Sequence, residues 1–168
     1  SKQVLEQKGA IQTLLDLKRE GKVRFIGSSS TLPNLSDHIK MGVFDAFQIP
    51  YSALQREHEV AIAQAARAGA GIVIRGGVAR GVSPDGQGRA GVDAWKLWDR
   101  ANLNELLEGM TRMEFILRYT LSNPDMSTTI VGTLNPAHLK DNVAAASKGP
   151  LPASVYNEAK KRLTAAAA

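Results

Sequence analysis

The sequence alternates helical and strand patterns four times, and this alternation constrains the fold more than any other feature. We predict strands at 23–26, 43–49, 72–74 and 128–131, and helices at about 9–20, 32–41, 56–68 and 111–122. Strands of this length joined by helices pair in parallel through right-handed crossovers. Two α/β architectures satisfy the pattern: half of a (β/α)8 TIM barrel, with four parallel βα units and a leading helix, and an open doubly wound sheet.

Composition limits the classes of function. The 168 residues, 43% hydrophobic and 22% charged, suit one domain with a single core. The absence of cysteine excludes disulfides, thiolate metal ligands and cysteine nucleophiles. No apolar run reaches the length of a membrane span and no signal-peptide pattern is present, so we predict a cytoplasmic protein with no membrane partner. The net charge of +5 comes from dispersed lysines and arginines, which argues against nucleic acid as a partner.

Two further patterns are set aside. Residues 86–91 spell GxGxxG, but no strand precedes them, so we interpret them as a loop rather than a dinucleotide turn. His38, His58 and His138 are too scattered to predict a metal site.

The segment 130–142 predicts an anion site. It ends a β-branched strand on Gly132 and begins a helix at Asn135 and Pro136. Unpaired N–H groups and the helix dipole stabilise an anion at a helix N-terminus. Phosphate sites of (β/α)8 barrels commonly follow the seventh and eighth strands. The segment therefore favours the barrel and a phosphorylated ligand.

Several motifs in order carry a family resemblance. They are residues 17–29 (LKREGKVRFIGSS), 47–52 (FQIPYS) and 130–133 (IVGT), followed by Leu139 and Asn142. In order and spacing they resemble the aldo/keto reductase family, from about residue 5 to residue 150. The match corresponds to the C-terminal half of that family's barrel. It implies one domain over 1–168, with a long substrate-side loop insertion at 76–110.

The resemblance implies a nicotinamide site on the first two strands. Family members hold the nicotinamide carboxamide with the end of one strand and a glutamine of the next, which correspond here to Ser29, Ser30 and Gln48. Hydroxyl and amide groups can both donate and accept hydrogen bonds, which suits this role. From the residues alone, the serines at 28–30 also suit a helix N-cap or turn. Gln48, inside an apolar strand, needs a hydrogen-bond partner, which is either a ligand or a neighbouring backbone group.

The resemblance also implies a site for the other end of the cofactor, NADP (NADPH). The positions that contact adenine and the 2′-phosphate correspond to Gly132, Thr133, Leu134, His138, Asp141 and Asn142. His138 stands where several relatives carry a basic residue, or it is an ordinary surface residue. These residues leave the choice between NADP and NAD open.

One strand departs from the family pattern. Many relatives end it with an aromatic residue that stacks on the nicotinamide ring, whereas this chain has Arg75. Its guanidinium can lie on the ring, meet the pyrophosphate or pair with a buried carboxylate. In the loop that follows, Trp95, Leu97 and Trp98 either form a substrate wall or pack a helix on the barrel.

The catalytic residues of the family do not map onto this chain. In the family, a tyrosine assisted by lysine, aspartate and histidine supplies the proton, and all four come from the first barrel half. Tyr51, Tyr119 and Tyr156 lie in other contexts, and a tyrosine of pKa near 10 needs a close cation to act as an acid.

Two functions remain open. The first is the cofactor-binding half of an NADP-dependent oxidoreductase that acts on a small aldehyde or ketone. That half would be inactive alone, and it is either an excerpt of a longer chain or completed by a separate N-terminal half. The second is a half-barrel that associates with a second copy of itself through its open strand edges and binds a nucleotide or another ligand without turnover. Whether the chain is an enzyme by itself stays undecided.

Overall fold

The computed structural model describes residues 1–7, 9–78 and 92–167. The GxGxxG segment at 86–91 and part of the predicted insertion at 76–110 lie outside these residues. The helices are α1 Lys2–Gln7, α2 Ala10–Arg19, α3 Asn34–Lys40, α4 Glu59–Arg67, α5 Val92–Arg100, α6 Arg112–Leu121, α7 Pro136–Ser147 and α8 Ala153–Ala167. A 3₁₀ helix spans Leu103–Leu106, and the strands are β1 Gly27–Ser29, β2 Ala46–Pro50, β3 Gly71–Arg75 and β4 Thr128–Ile130.

The four strands form one sheet in the order β1-β2-β3-β4. Strands β1 and β2 run parallel, with Ser29 opposite Gln48. A doubly wound sheet reverses its strand order at a switch point, whereas these strands follow chain order throughout. The predicted α/β fold with four parallel βα units is confirmed, and the order is that of half a barrel.

The first strand lies further along the chain than predicted. We predicted it at 23–26, but the ladder begins at Gly27. The carboxylate of Asp45 accepts a hydrogen bond from the Ile26 amide at 2.9 Å, and the Asp45 amide donates to the Ile26 carbonyl at 2.8 Å. Ile26, just before the β1–β2 ladder, is therefore bonded to the Asp45 side chain. Lys18 holds that carboxylate in turn, with its Nζ 2.7 Å from both oxygens. Apolar residues before Gly27 therefore do not mark the strand, and Phe25 is 69% exposed.

The described residues pack as two compact units. The first comprises Ser1–Ile49, His58–Val73 and Asp125–Ser127, and the second Pro50–Glu57, Ile74–Pro124 and Thr128–Ala168. In the first unit, α4 buries Ala61, Ile62 and Ala65. Val60, on the same helix, is 70% exposed.

The second unit has an aromatic core. Tyr51, Trp98, Phe115 and Tyr119 are fully buried. The Trp98 and Phe115 rings meet edge to face at 5.5 Å, and the Tyr51 and Tyr119 rings stack at 6.3 Å between centroids. Such pairs add about 0.5–1.5 kcal/mol beyond the area they bury.

Helices α5 and α8 belong to this unit; a helix at α5 was one of two interpretations of the loop, and α8 was not predicted. Trp95 and Trp98 lie on α5 and are buried, which confirms the interpretation that they pack a helix rather than form a substrate wall. Leu97 on the same helix is half-buried. Helix α8 buries Val155 and Leu163.

Two glycines form the turn after β3. Gly76 has φ 71°, which favours glycine because it has no Cβ. A Cβ on Gly77 would lie 2.5 Å from Thr129 Oγ1, and the Gly77 carbonyl accepts from Thr120 Oγ1 at 2.8 Å. The turn therefore lies close against β4 and α6 and fixes the position of Val78.

None of the helices in the described ranges combines the length and the hydropathy that a membrane span requires.

Candidate functional site

Ser29 and Gln48 lie side by side on neighbouring strands. Ser29 Oγ donates to Gln48 Oε1 at 3.3 Å, and the Ser30 amide donates to the Gln48 carbonyl at 3.3 Å. The Gln48 side chain therefore finds its partner in a neighbouring hydroxyl. Within the described residues, its amide nitrogen has no protein acceptor, which leaves two N–H donors for a ligand.

The alternative that serines 28–30 cap helix α3 is wrong. The N-cap residue is Pro33, and no side chain caps the helix. Ser28 instead meets His38, with its Oγ 2.9 Å from the imidazole Nδ1. The Ser30 hydroxyl makes a long 3.5 Å contact to the Thr31 carbonyl. Ser29 is thus the serine that is paired with Gln48.

His38 is a buried histidine of helix α3. Its Nε2 is buried and has no hydrogen-bond partner. Burial lowers the pKa of the His38 imidazole below its ordinary value, the positive charge of the Ser1 amino group adds to that effect, and Asp37 opposes it. The neutral form is therefore favoured in the folded protein.

Arg75 ends strand β3, and among the described residues it has no protein counter-ion. Its Nε is buried and has no hydrogen-bond partner. No carboxylate among the described residues pairs with it, so the buried-carboxylate alternative finds no support there. The Arg75 carbonyl accepts from the Tyr51 amide at 3.3 Å, which fixes the backbone at the strand end. The guanidinium is left with donors that suit an anion or a ring face.

A cavity of about 630 Å³ lies beside helix α7. Five of the six residues that we assigned to the adenosine end of the cofactor line it: Gly132, Thr133, His138, Asp141 and Asn142. Leu134 does not line it, because its side chain is fully exposed. His138 is exposed on α7 and also lines the cavity. Its position therefore agrees both with a surface residue and with a residue that contacts a 2′-phosphate in the cavity.

The predicted start of α7 is confirmed. Asn135 is the N-cap, with its Oδ1 2.9 Å from the Ala137 amide, and Pro136 occupies the first helical position. Thr133 Oγ1 accepts from the Asn135 amide at 3.1 Å and so shapes the turn that enters the helix. The helix N-terminus therefore begins directly beyond Gly132 and Thr133.

The opposite wall of the cavity was not predicted. It comes from the first turn of α6, where Thr111, Met113 and Glu114 line the cavity. Thr111 caps the helix, with its Oγ1 3.1 Å from the Glu114 amide. The Thr-x-x-Glu spacing of a capping box is a sequence signal for this turn.

The cavity combines an apolar floor with balanced charges. Val78, Met113, Val131 and Ala145 belong to one hydrophobic cluster. The Glu114 carboxylate lies 2.9 Å from Lys148 Nζ and 3.3 Å from Arg118 Nη1, so its charge is paired. The floor suits a planar base and the start of α7 suits an anion.

No group of three or more metal-ligating side chains occurs in the described part of the chain.

Residues 4–163 match the sequence model of the Aldo/keto reductase family. The chain belongs to this family. It is 30% identical to aldo-keto reductase AKR11C1 from Bacillus halodurans in its holo form, with a TM-score of 0.74 over 90% of this chain and 54% of that one. The thermostable aldo-keto reductase Tm1743, in complex with the inhibitor epalrestat, shares the fold at 16% identity. Its TM-score is 0.67, over 90% of this chain and 53% of that one.

A sequence relative is the uncharacterized oxidoreductase YqkF of Bacillus subtilis (strain 168). It is 23% identical over 82% of this chain and 49% of that protein. The chain thus spans about half the length of the relatives that it matches.

Proposed function

We propose that this chain is the cofactor-binding half of an NADP-dependent aldo/keto reductase, an oxidoreductase that transfers hydride between NADPH and an aldehyde or ketone. One observation carries the proposal: Gly132, Thr133, His138, Asp141 and Asn142 line a single cavity next to a helix N-terminus. The site combines an apolar floor with the positive end of the α7 helix dipole, which suits adenosine carrying a phosphate.

Two groups of described residues, each taken within its own unit, offer chemistry that suits parts of such a cofactor. The free amide donors of Gln48, with Ser29 beside it and Ser30 next in the chain, suit a carboxamide. Arg75, whose buried Nε lacks a partner, suits the pyrophosphate or the face of the nicotinamide ring. The cavity suits the adenosine 2′-phosphate end. When bound, the cofactor would supply the hydride, and this chain would bind and orient it.

The proton donor would come from outside this chain. The family's tyrosine, lysine, aspartate and histidine have no counterparts among the positions that match, so we expect the chain to be inactive alone. A missing N-terminal half would complete the barrel. A cytoplasmic location stays a prediction from the sequence.

A second candidate is a half-barrel that binds a nucleotide without turnover as an assembly of two copies. It is favoured by the sheet, where β1 and β4 lie at the ends and have no further strand partner in the described ranges.

The test is titration of the chain with NADPH, monitored by tryptophan fluorescence. The mass of the protein is determined by light scattering in the same sample. We expect saturable quenching, with tighter binding of NADPH than of NADH. Asn142→Ala should weaken binding about tenfold because it removes one polar contact. Leu139→Ala is the matched control, since Leu139 lies on the same helix, is 52% exposed and does not line the cavity.

Three outcomes separate the candidates. NADPH binding by a monomer supports the cofactor-binding half, and NADPH binding by a dimer supports the self-associating half-barrel. Absence of saturable binding to a folded chain contradicts both.

A further inference from the structure

The first turn of α6 is held on one side and lines the cavity on the other. Thr111, Met113 and Glu114 line the cavity. Arg112 and Phe115, on the same turn, face helix α5 and the 3₁₀ helix Leu103–Leu106. These two helices lie within the predicted insertion at 76–110, and in this subsection the insertion means these two helices. Contacts that hold the Arg112 side chain in place therefore also hold the first turn of α6, which forms the cavity wall.

Arg112 is fixed by aromatic and amide contacts. Its guanidinium carbon lies 5.0 Å from the centroid of the Trp95 ring and 5.5 Å from that of the Trp98 ring. Its Nε donates to Asn104 Oδ1 at 3.2 Å, and the same oxygen accepts from Trp98 Nε1 at 2.9 Å. A planar guanidinium can stack on rings and donate in its own plane at once, which an ammonium group cannot do.

The aromatic rings next to Arg112 are buried and packed against each other. Trp98 is fully buried and meets the Phe115 ring edge to face at 5.5 Å. Trp95 meets Trp98 edge to face at 5.7 Å. Large side chains packed in this way leave the guanidinium little freedom to move.

We propose that Arg112 is a positioning residue for the ligand cavity. It holds the first turn of α6 against the insertion and thereby keeps Thr111, Met113 and Glu114 in place as the cavity wall. The first turn of a helix has the fewest backbone hydrogen bonds, so it depends most on such side-chain contacts. The identity of the ligand rests on the proposed function, whereas the role of Arg112 in the wall does not.

The test compares Arg112→Leu with Arg162→Leu. Arg162 also anchors the insertion, since its Nη1 donates to the Asn102 carbonyl at 3.0 Å and to Glu105 Oε2 at 2.7 Å. It does so from α8 and does not line the cavity. The probe is adenosine 2′,5′-bisphosphate, which reports on the cavity alone. We expect Arg112→Leu to weaken its binding about tenfold, Arg112→Lys to recover part of that loss, and Arg162→Leu to leave it unchanged.

A second measurement does not need a ligand. Hydrogen exchange at the Glu114 and Phe115 amides, which bond to Thr111, should accelerate in Arg112→Leu and not in Arg162→Leu. Equal exchange in the two variants would overturn the positioning role. Faster exchange with unchanged affinity would overturn its link to the cavity. If the wild-type chain does not bind the probe, the proposed function fails, and hydrogen exchange still decides whether Arg112 holds the wall.

Discussion

His38 is a buried residue, and its burial disfavours the protonated form of its imidazole. The imidazole accepts or donates at Nδ1 with Ser28, while Nε2 is enclosed without a partner. Protonation of His38 would place a charge in that enclosed position. Because burial lowers the pKa of His38, the unfolded chain binds more protons than the folded chain just below pH 6.5.

We therefore predict that the free energy of unfolding falls as the pH drops from about 6.5 towards the lowered pKa of folded His38. The slope attributable to one such group is at most about 1.4 kcal/mol per pH unit, and the contribution is fully present above pH 6.5. The measurement is urea denaturation at several pH values for the wild type and His38→Gln. The difference between the two proteins isolates this residue, because other groups titrate in both.

His138→Gln is the control for this experiment, since that side chain is exposed on α7. The comparison separates the loss of the buried His38 imidazole from the loss of any histidine. A His38→Gln variant whose stability follows the wild-type curve at every pH would show that His38 is not the source of the slope.

Arg75 and Gln48 show what a sequence reveals at the residue scale. Their positions at or near strand ends were predicted, because polar residues interrupt apolar runs there. Their partners were not, since neither the Ser29 hydroxyl beside Gln48 nor the lack, within the described ranges, of a carboxylate beside Arg75 follows from spacing. Such contacts depend on register, which a single sequence does not specify.

At the scale of an element, the start of α7 couples helix stability to the cavity. We predict that Asn135→Ala lowers the free energy of unfolding by about 1 kcal/mol, because the Ala137 amide loses its acceptor. Chemical denaturation measures this loss. The same substitution should weaken binding of adenosine 2′,5′-bisphosphate, since the cap bond holds the first turn of α7, which begins directly beyond the cavity residues Gly132 and Thr133.

Asn135→Asp separates the two effects. It keeps the acceptor and adds a negative charge at the positive end of the helix dipole, so stability should equal or exceed that of the wild type. The same charge should repel a phosphate bound nearby and weaken binding. An Asp variant as unstable as the Ala variant would contradict the capping role, and one that binds the bisphosphate as tightly as the wild type would contradict an anion site at this helix end.

Elements were predictable where the sequence shows a repeating hydrophobic pattern or a residue that typically begins or ends a helix. The Asn-Pro start of α7 and helix α6 lie where the sequence places them. Strand β1 does not, because the Asp45 carboxylate holds Ile26 before the ladder begins. Helix α8 was missed although it buries a residue at every fourth position, at Val155, Ala159 and Leu163. That spacing is a helical signal.

At the scale of the whole molecule, the half-barrel was the most informative prediction. A half-barrel places neighbouring strands in chain order, and the sheet has that order. The cavity was only half predictable, because α6 was predicted as a helix but its contribution to the wall depends on how α6 and α7 pack. Thr111 marks in the sequence where α6 begins, but nothing in the sequence shows that α6 lies across the cavity from α7.

The ends of the sheet lead to the last prediction. In the described ranges, β4 has β3 on one side and no strand on the other, and Ile130 on β4 is 49% exposed. Unpaired edge strands with apolar side chains promote pairing between chains. We therefore expect the mass of the wild-type chain, measured by light scattering, to rise with concentration.

Ile130→Lys should shift that association to higher concentration, because a lysine on an edge strand opposes pairing with another strand. Val60→Lys is the matched control, since Val60 is also β-branched and exposed, at 70%, but lies on helix α4. If both variants reduce association equally, net charge rather than the strand edge is responsible. If Ile130→Lys associates like the wild type, the edge of β4 is not where two chains meet, and completion of the barrel across that edge loses its support.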